Sequence, residues 1–260
     1  MNYQTLLLEK NDAIAKITLN RPDKLNALNN LMMKELETCI KDIEQSPSIR
    51  ALIITGAGEK AFIAGADINE LHELNQISGR QFAEFGSSVF SRIEQMQIPV
   101  VAAINGYALG GGCEFALACH IRFASENAKI GQTELNLGLI TGYGGSQRLP
   151  RIVGKSRAME MILSAKIVDA FEAERIGLVN KVFKQDELLE KTVEFLKTVI
   201  SKGAKSLALA IECINASQEL SLAAGLAFET KKFGEICGTK DFKEGTLAFL
   251  EKRKANFKGE

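Results

Sequence analysis

The sequence predicts an α/β protein whose last third is helical, and three observations carry that prediction. Short β-branched runs alternate with segments of helical period as far as about residue 125. From Ser156 onward the periodic apolar positions are helical throughout. The 260 residues, 46% of them hydrophobic, can bury a full core.

Thr5 to Leu8 and Ile14 to Leu19 read as strands of an opening hairpin, since Lys10-Asn11-Asp12 between them is turn chemistry. Arg21-Pro22-Asp23-Lys24 ends the second strand. Asn29 to Gln45 places Leu31, Met32, Leu36, Ile40 and Ile43 at helical spacing, and Ala51 to Ile54 is a buried-strand run. The alternation returns as a helix over Ser78 to Gln95, a strand over Val100 to Ile104, a helix after Gly112 and a strand near Ile121 to Ala124. Helices are then predicted around Leu188 to Ile200, Leu207 to Ile214, Leu222 to Ile236 and Phe242 to Phe249. Two regions follow from this pattern, 1–200 as the core and 201–260 as a helical part.

Thirty-two basic residues balance thirty-two acidic ones, so no net field favours a nucleic-acid backbone or an anionic membrane. Five scattered cysteines with no C-x-x-C spacing argue against a disulfide framework or a zinc site and point to a reducing compartment. The start lacks the charge and apolar core of a leader, and no apolar run approaches the roughly 18 residues that span a bilayer. The expectation is a cytoplasmic protein without metal, membrane or nucleic acid.

Gly56-Ala57-Gly58-Glu59-Lys60-Ala61 fits G-x-G-x-x-A after a strand, but Phe62 to Gly65 does not open a helix, so a dinucleotide site is set aside. No phosphate loop and no nucleophile elbow is present. His72 reads as surface and His120 as part of a buried strand edge, so neither is taken as catalytic.

Three stretches remain: Ala64-Gly65-Ala66-Asp67-Ile68, Asn105 to Glu114 with its Gly110-Gly111-Gly112 run, and Gly131-Gln132-Thr133-Glu134 leading to Gly142-Tyr143-Gly144-Gly145. Glycine lets a backbone N–H approach a ligand closely, and a helix's first turn carries unpaired N–H groups that suit a developing oxyanion. Taken alone, Glu114 is a first-turn acid favoured by the helix dipole and Glu134 a loop charge.

In order along the chain, Asn20-Arg21-Pro22 with Leu25-Asn26-Ala27-Leu28, Ala61-Phe62 with Ala64 to Ile68, Asn105-Gly106 through Glu114, Gly144 to Leu149, Ala173 to Val179 and Glu251 to Lys254 resemble the landmarks of the crotonase superfamily, in its short-chain enoyl-CoA hydratase type. The resemblance spans nearly the whole chain. It implies a spiral of ββα units with a C-terminal helical region, 201–260, that packs trimers, paired as hexamers. It also implies hydration of a trans-2-enoyl-CoA to a 3-hydroxyacyl-CoA, with coenzyme A carried as part of the substrate and no separate cofactor.

By motif position, Ala66 and Gly111 correspond to the oxyanion-hole N–H donors, and Glu114 and Glu134 to the acid/base pair, with Glu114 as base toward water and Glu134 as acid toward Cα. Lys24, Ala64, Asp67, Ile68, Asn69, Gly110 and Gly142 correspond to substrate-binding positions, with Gly142 near the water or substrate. Arg21, Lys24 and Lys252 to Lys254 are further candidates for coenzyme A phosphates. Thr133 and Thr141 stand where relatives commonly place proline, which implies freer loops. The alternatives are a double-bond isomerase, which commonly needs one acid/base, and an RNA-binding homologue without catalysis.

Overall fold

The computed structural model describes residues 3–260, and its chain opens with the expected hairpin. β1 (Leu6–Asn11) and β2 (Ile14–Leu19) pair antiparallel, and Asp12 in the turn takes a φ of 52°. A short polar side chain tolerates that left-handed conformation, so the ladder runs on to Asn11 rather than stopping at Leu8. α1 (Asn30–Glu44) follows. Asn29 caps it by accepting from the Met32 N–H, and one stripe, including Met32, Leu36, Ile40 and Ile43, is buried.

Three turns of a repeating unit come next. The first is β3 (Ala51–Gly56), β4 (Ala61–Ile63), α2 (Ile68–His72) and α3 (Gln76–Glu94). β5 (Val100–Ile104), β6 (Tyr107–Leu109) and α4 (Gly111–Ala118) form the second. The third is β7 (Ile121–Ser125), β8 (Lys129–Gly131), a 3-10 turn at Glu134–Leu137 and α5 (Gly145–Val153). α6 (Lys155–Leu163), β9 (Ile167–Asp169), α7 (Ala170–Arg175) and β10 (Lys181–Phe183) complete the spiral.

Each repeat sends its first strand to one sheet and its second to another. The larger sheet has the order β1-β2-β3-β5-β7-β10 and is parallel from β2 onward. The smaller has the order β4-β6-β8-β9, parallel except for β9. Every residue of β3 and β5 is buried, as expected of parallel strands covered on both faces. Alternate residues serve different cores: Leu52, Ile54, Val100 and Ala102 face the main one. Ala51, Ile53, Val101 and Ala103 face a second, closed by Leu188 and Leu196. Those two leucines lie on α8 (Leu188–Ile200).

α9 (Ala204–Ala216), α10 (Leu222–Cys237) and α11 (Lys240–Leu250) lie where the periodicity predicts helices. The three-residue strands β4, β6, β8, β9 and β10 were not foreseen, because three residues carry no measurable period. The turn after Gly56 leads into strand β4 at Ala61 and not into a helix, which removes the dinucleotide reading, and the helix expected after Gly112 begins at Gly111. Among the described residues no helix is long and apolar enough to cross a membrane.

Candidate active site

β4, β6 and β8 are neighbours in the smaller sheet and run in the same direction. Their C-terminal ends therefore deliver Ala64–Asp67, Gly110–Glu114 and Gln132–Glu134 to one place, and the three stretches picked from sequence become a single site. The Gly110 N–H donates to the Gly131 carbonyl at 2.8 Å, which ties the second stretch to the third.

The first stretch is pinned to the segment before α1. Leu28 bridges Ala66 in parallel, donating its N–H to the Gly65 carbonyl at 2.9 Å and accepting from the Asp67 N–H at 2.7 Å. Among the described residues, no protein acceptor takes the N–H of Ala66 or that of Gly111. Gly111 opens α4, so its N–H has no partner within the helix. Neighbouring glycines make the approach possible: Gly110 has φ 51°, and a Cβ on it would stand 3.3 Å from Glu134 Oε1. A Cβ on Gly112 would lie 2.1 Å from the Ile63 carbonyl oxygen.

Glu114, 2% exposed, lies in the first turn of α4, yet its carboxylate turns away from that helix. Its Oε1 accepts from the Tyr143 N–H at 2.8 Å and the Gly145 N–H at 2.7 Å. Arg148 steadies that loop, with Nη1 on the Tyr143 carbonyl at 2.9 Å and Nη2 on Glu94 at 2.9 Å. Burial, and then the charge of Glu134, push the Glu114 carboxyl up to about 7, against the pull of the two N–H donors.

Glu134 opens the 3-10 turn and packs against Gly110. Burial raises its carboxyl too, opposed by the N–H groups of Glu134 itself and Thr133. Gln132, fully buried, sets its side-chain amide beside both Glu134 oxygens, at 3.1 and 3.2 Å, and both groups are satisfied only with the amide nitrogen facing them. Two neighbouring carboxylates that both resist ionisation retain a proton between them near neutrality.

The other predicted positions divide. Lys24 is exposed and, among the described residues, has no ion-pair partner. Ile68 and Asn69 are exposed at the start of α2, while the Ala64 N–H is engaged by the Leu25 carbonyl at 3.1 Å. Gly142 is exposed, its carbonyl accepting from Ser87 Oγ at 3.3 Å. It bonds neither carboxylate; its neighbours Tyr143 and Gly145 hold Glu114 instead. Asp67 and Arg21 are bonded to each other at 3.0 Å.

Thr141 is tethered rather than freed, its hydroxyl accepting from the Ser146 N–H at 3.0 Å. His120 is structural: Nδ1 accepts from the Val100 N–H at 3.0 Å, so Nε2 carries the proton and donates to the Glu94 carbonyl at 2.9 Å.

Gln132 and Tyr143 escaped the sequence reading. The run Gly144-Gly145 hinted at close backbone approach, but nothing marked which group it approaches. The Tyr143 ring packs on Phe82 and Phe90 and lines a cavity of about 570 Å³ with Met33, Leu74, Phe82 and Phe85. Among the described residues no group of three or more His, Cys, Asp or Glu side chains could hold a metal ion.

Two electrostatically coupled carboxylates and two unpartnered backbone N–H groups thus gather at the strand ends of a ββα spiral, the class of site that can run acid/base chemistry beside a developing oxyanion. The comparisons agree with that class. The family model for enoyl-CoA hydratase/isomerase matches residues 9–260, and the chain belongs to that family. It is 46% identical over 254 residues to a short-chain-enoyl-CoA hydratase of Clostridium acetobutylicum, covering 98% of this chain and 97% of that one. With a crotonyl-CoA hydratase of Syntrophomonas wolfei it shares 43% identity over 257 residues, 99% of each chain. A crystal structure of an enoyl-CoA hydratase from Bacillus anthracis superposes with a TM-score of 0.95 at 40% identity, covering 99% of this chain and 100% of that one.

Proposed function

We propose that the protein adds water reversibly to short trans-2-enoyl-CoA thioesters, giving 3-hydroxyacyl-CoA. The observation that carries this reading is the coupled pair Glu114 and Glu134, the second packed on Gly110, together with the unpartnered N–H groups of Ala66 and Gly111. The names of the two hydratases from Clostridium and Syntrophomonas support the reaction and the short acyl chain.

In hydration the one proton that the pair retains sits on Glu134 once substrate is bound, and Glu114, then ionised, takes a proton from water as the water oxygen bonds to Cβ. The C=C pair shifts toward the thioester, and negative charge gathers on the carbonyl oxygen, where the Ala66 and Gly111 N–H groups receive it. One such donor is worth about 3 kcal/mol in a dry site. Glu134 then gives its proton to Cα, and the net change is one water added. The division of roles is supported by the two N–H donors on Glu114 Oε1, which hold one oxygen in place and leave the other to face water. A double-bond isomerase commonly needs only one such group, so a complete pair favours hydration.

Coenzyme A arrives as part of the substrate, and the reaction calls for no further cofactor. Lys24, Ala64, Asp67, Ile68 and Asn69 surround its proposed approach, with Lys24 the free cation among them. Residues 201–260 are proposed to assemble the protein as a homotrimer or a hexamer of paired trimers. In support, α10 buries no residue within one chain, while Leu222, Phe233, Phe249 and Leu250 are each at least 66% exposed. Five free thiols suit a reducing, cytoplasmic setting.

The test is to offer the purified protein a series of trans-2-enoyl-CoA esters and follow loss of the conjugated double bond, with mass analysis of the product. Gain of one water is expected. Turnover without that gain would make it an isomerase, and no turnover would overturn the enzymatic reading.

A further inference from the structure

Ala66 is flanked by two peptide groups that are both bonded to Leu28. The direction of the Ala66 N–H therefore depends on where residues 25–28 lie. That segment is not regular structure: Leu25 and Asn26 take left-handed φ values of 49° and 56°. Such conformations in residues other than glycine persist only where the surroundings hold them.

Arg21 supplies that hold from both sides. Its Nη1 donates to the Ala27 carbonyl at 2.6 Å, and its Nη2 donates to Asp67 Oδ2 at 3.0 Å. Its own N–H donates to Asn26 Oδ1 at 3.0 Å, and its carbonyl accepts from the Asn26 N–H at 2.9 Å. Asp67 in turn spends Oδ1 on the Asn69 N–H at 3.2 Å, which caps α2. The ion pair is largely shielded, with side chains 17% and 16% exposed. One guanidinium thus spans the two strips of backbone that meet at Ala66. The flat fork of arginine can make both bonds at once, whereas a lysine ammonium offers one compact charge.

We propose that Arg21 and Asp67 are positioning residues that aim the Ala66 N–H at the thioester oxygen, and that neither serves as a contact for the phosphates of coenzyme A. The inference rests on the oxyanion role given to Ala66 above. It moves Arg21 from substrate affinity to the chemical step.

The experiment compares Arg21→Gln, Arg21→Lys and Asp67→Asn with the unmodified protein, using a trans-2-enoyl-CoA and the same acyl group on N-acetylcysteamine, which carries no phosphate. Arg21→Gln and Asp67→Asn are expected to lower kcat about ten- to a hundredfold on both substrates, with little change in KM. Arg21→Lys is expected to recover part of the loss. A purely phosphate-binding arginine gives the opposite result: KM rises for the coenzyme A ester, kcat holds, and the truncated ester is unaffected. That result would overturn the proposal.

A second readout does not depend on turnover. The carbonyl stretch of an isotopically labelled enoyl-CoA shifts down when hydrogen-bond donors polarise it, and the shift in the unmodified protein should shrink in Arg21→Gln and in Asp67→Asn. An equal shift in all three overturns the positioning role even if the protein is an active hydratase. If the unmodified protein shifts the carbonyl but turns nothing over, the hydratase reading fails while the positioning role still stands or falls on the variants. No shift in the unmodified protein overturns both.

Discussion

Glu114 sits on a helix of eight buried residues, with one oxygen held between two backbone N–H groups, whereas Glu134 opens a short 3-10 turn that runs into the exposed Leu137, Leu139 and Ile140. The first carboxylate is fixed by rigid backbone. The second is steered by a side chain, Gln132, and by a loop that faces solvent on its far side. The proposed reaction, which deprotonates water and protonates carbon, needs two groups of unequal character, and the inequality between these two comes from local structure rather than residue type. Glu114 suits the step that needs a fixed oxygen; Glu134 suits delivery to a substrate atom that changes shape as it reacts.

The largest effect that would break this comparison is on turnover. Glu114→Gln and Glu134→Gln are each expected to lower kcat by about 10²–10⁴-fold, the usual share of a positioned acid or base. The Glu114→Gln side chain keeps an oxygen for the Tyr143 and Gly145 N–H groups, so its loss reports proton transfer rather than a collapsed loop. The double variant should lose little more than the worse single one, since the two act as a unit. An assay in which only one substitution matters would replace the pair with a single acid/base and revive the isomerase reading.

A smaller effect sharpens the comparison through stability. The folded protein binds the Glu114 proton more tightly than the unfolded chain, because its carboxyl is raised from 4.5 to about 7. The stabilisation of the protonated form is complete below the unfolded value and is lost as pH rises through about 7. Glu114→Gln carries no such loss. Relative to the unmodified protein it should gain stability between pH 5 and 8, on the order of 3 kcal/mol, in denaturant titrations. Glu134→Gln removes a charge that raises Glu114, so it should lower the midpoint of that pH dependence. A gain that is independent of pH would mean that Glu114 is not ionising in its buried setting.

Much of this contrast lies beyond what the sequence displays. The long periodic elements were legible because α1, α3 and α8 to α11 repeat their apolar positions over many residues. The short strands of the smaller sheet were not, and without β4, β6 and β8 nothing in the spacing of Ala66, Gly111 and Glu134 brings them together. The ordered motifs supplied that meeting by resemblance. Gln132 and the Tyr143 N–H stayed hidden because a backbone donor has no residue signature and a glutamine beside a glutamate is unremarkable in a loop. The partner of Arg21 stayed hidden for a related reason: a cation near a substrate motif suggests a phosphate, and only the fold shows Asp67 beside it.

The smallest expected effect separates holding Glu114 from lining the cavity of about 570 Å³, which we propose takes the acyl chain, since Tyr143 contributes to both through different atoms. Its N–H supports Glu114, while its ring lines the cavity beside Phe82 and Phe85 and lies close enough to Gly86 that a Cβ there would be 2.0 Å from it. Tyr143→Ala keeps the N–H and removes the ring. Opening that wall should favour longer acyl chains, and the ratio of kcat/KM for an eight-carbon over a four-carbon enoyl-CoA should rise about tenfold, in the range that apolar pockets discriminate. Because the Glu114 support is retained, the pH dependence of stability should stay as in the unmodified protein. If the chain-length ratio holds while that pH dependence moves, the ring matters for the Glu114 loop and the cavity is not where the acyl chain lies.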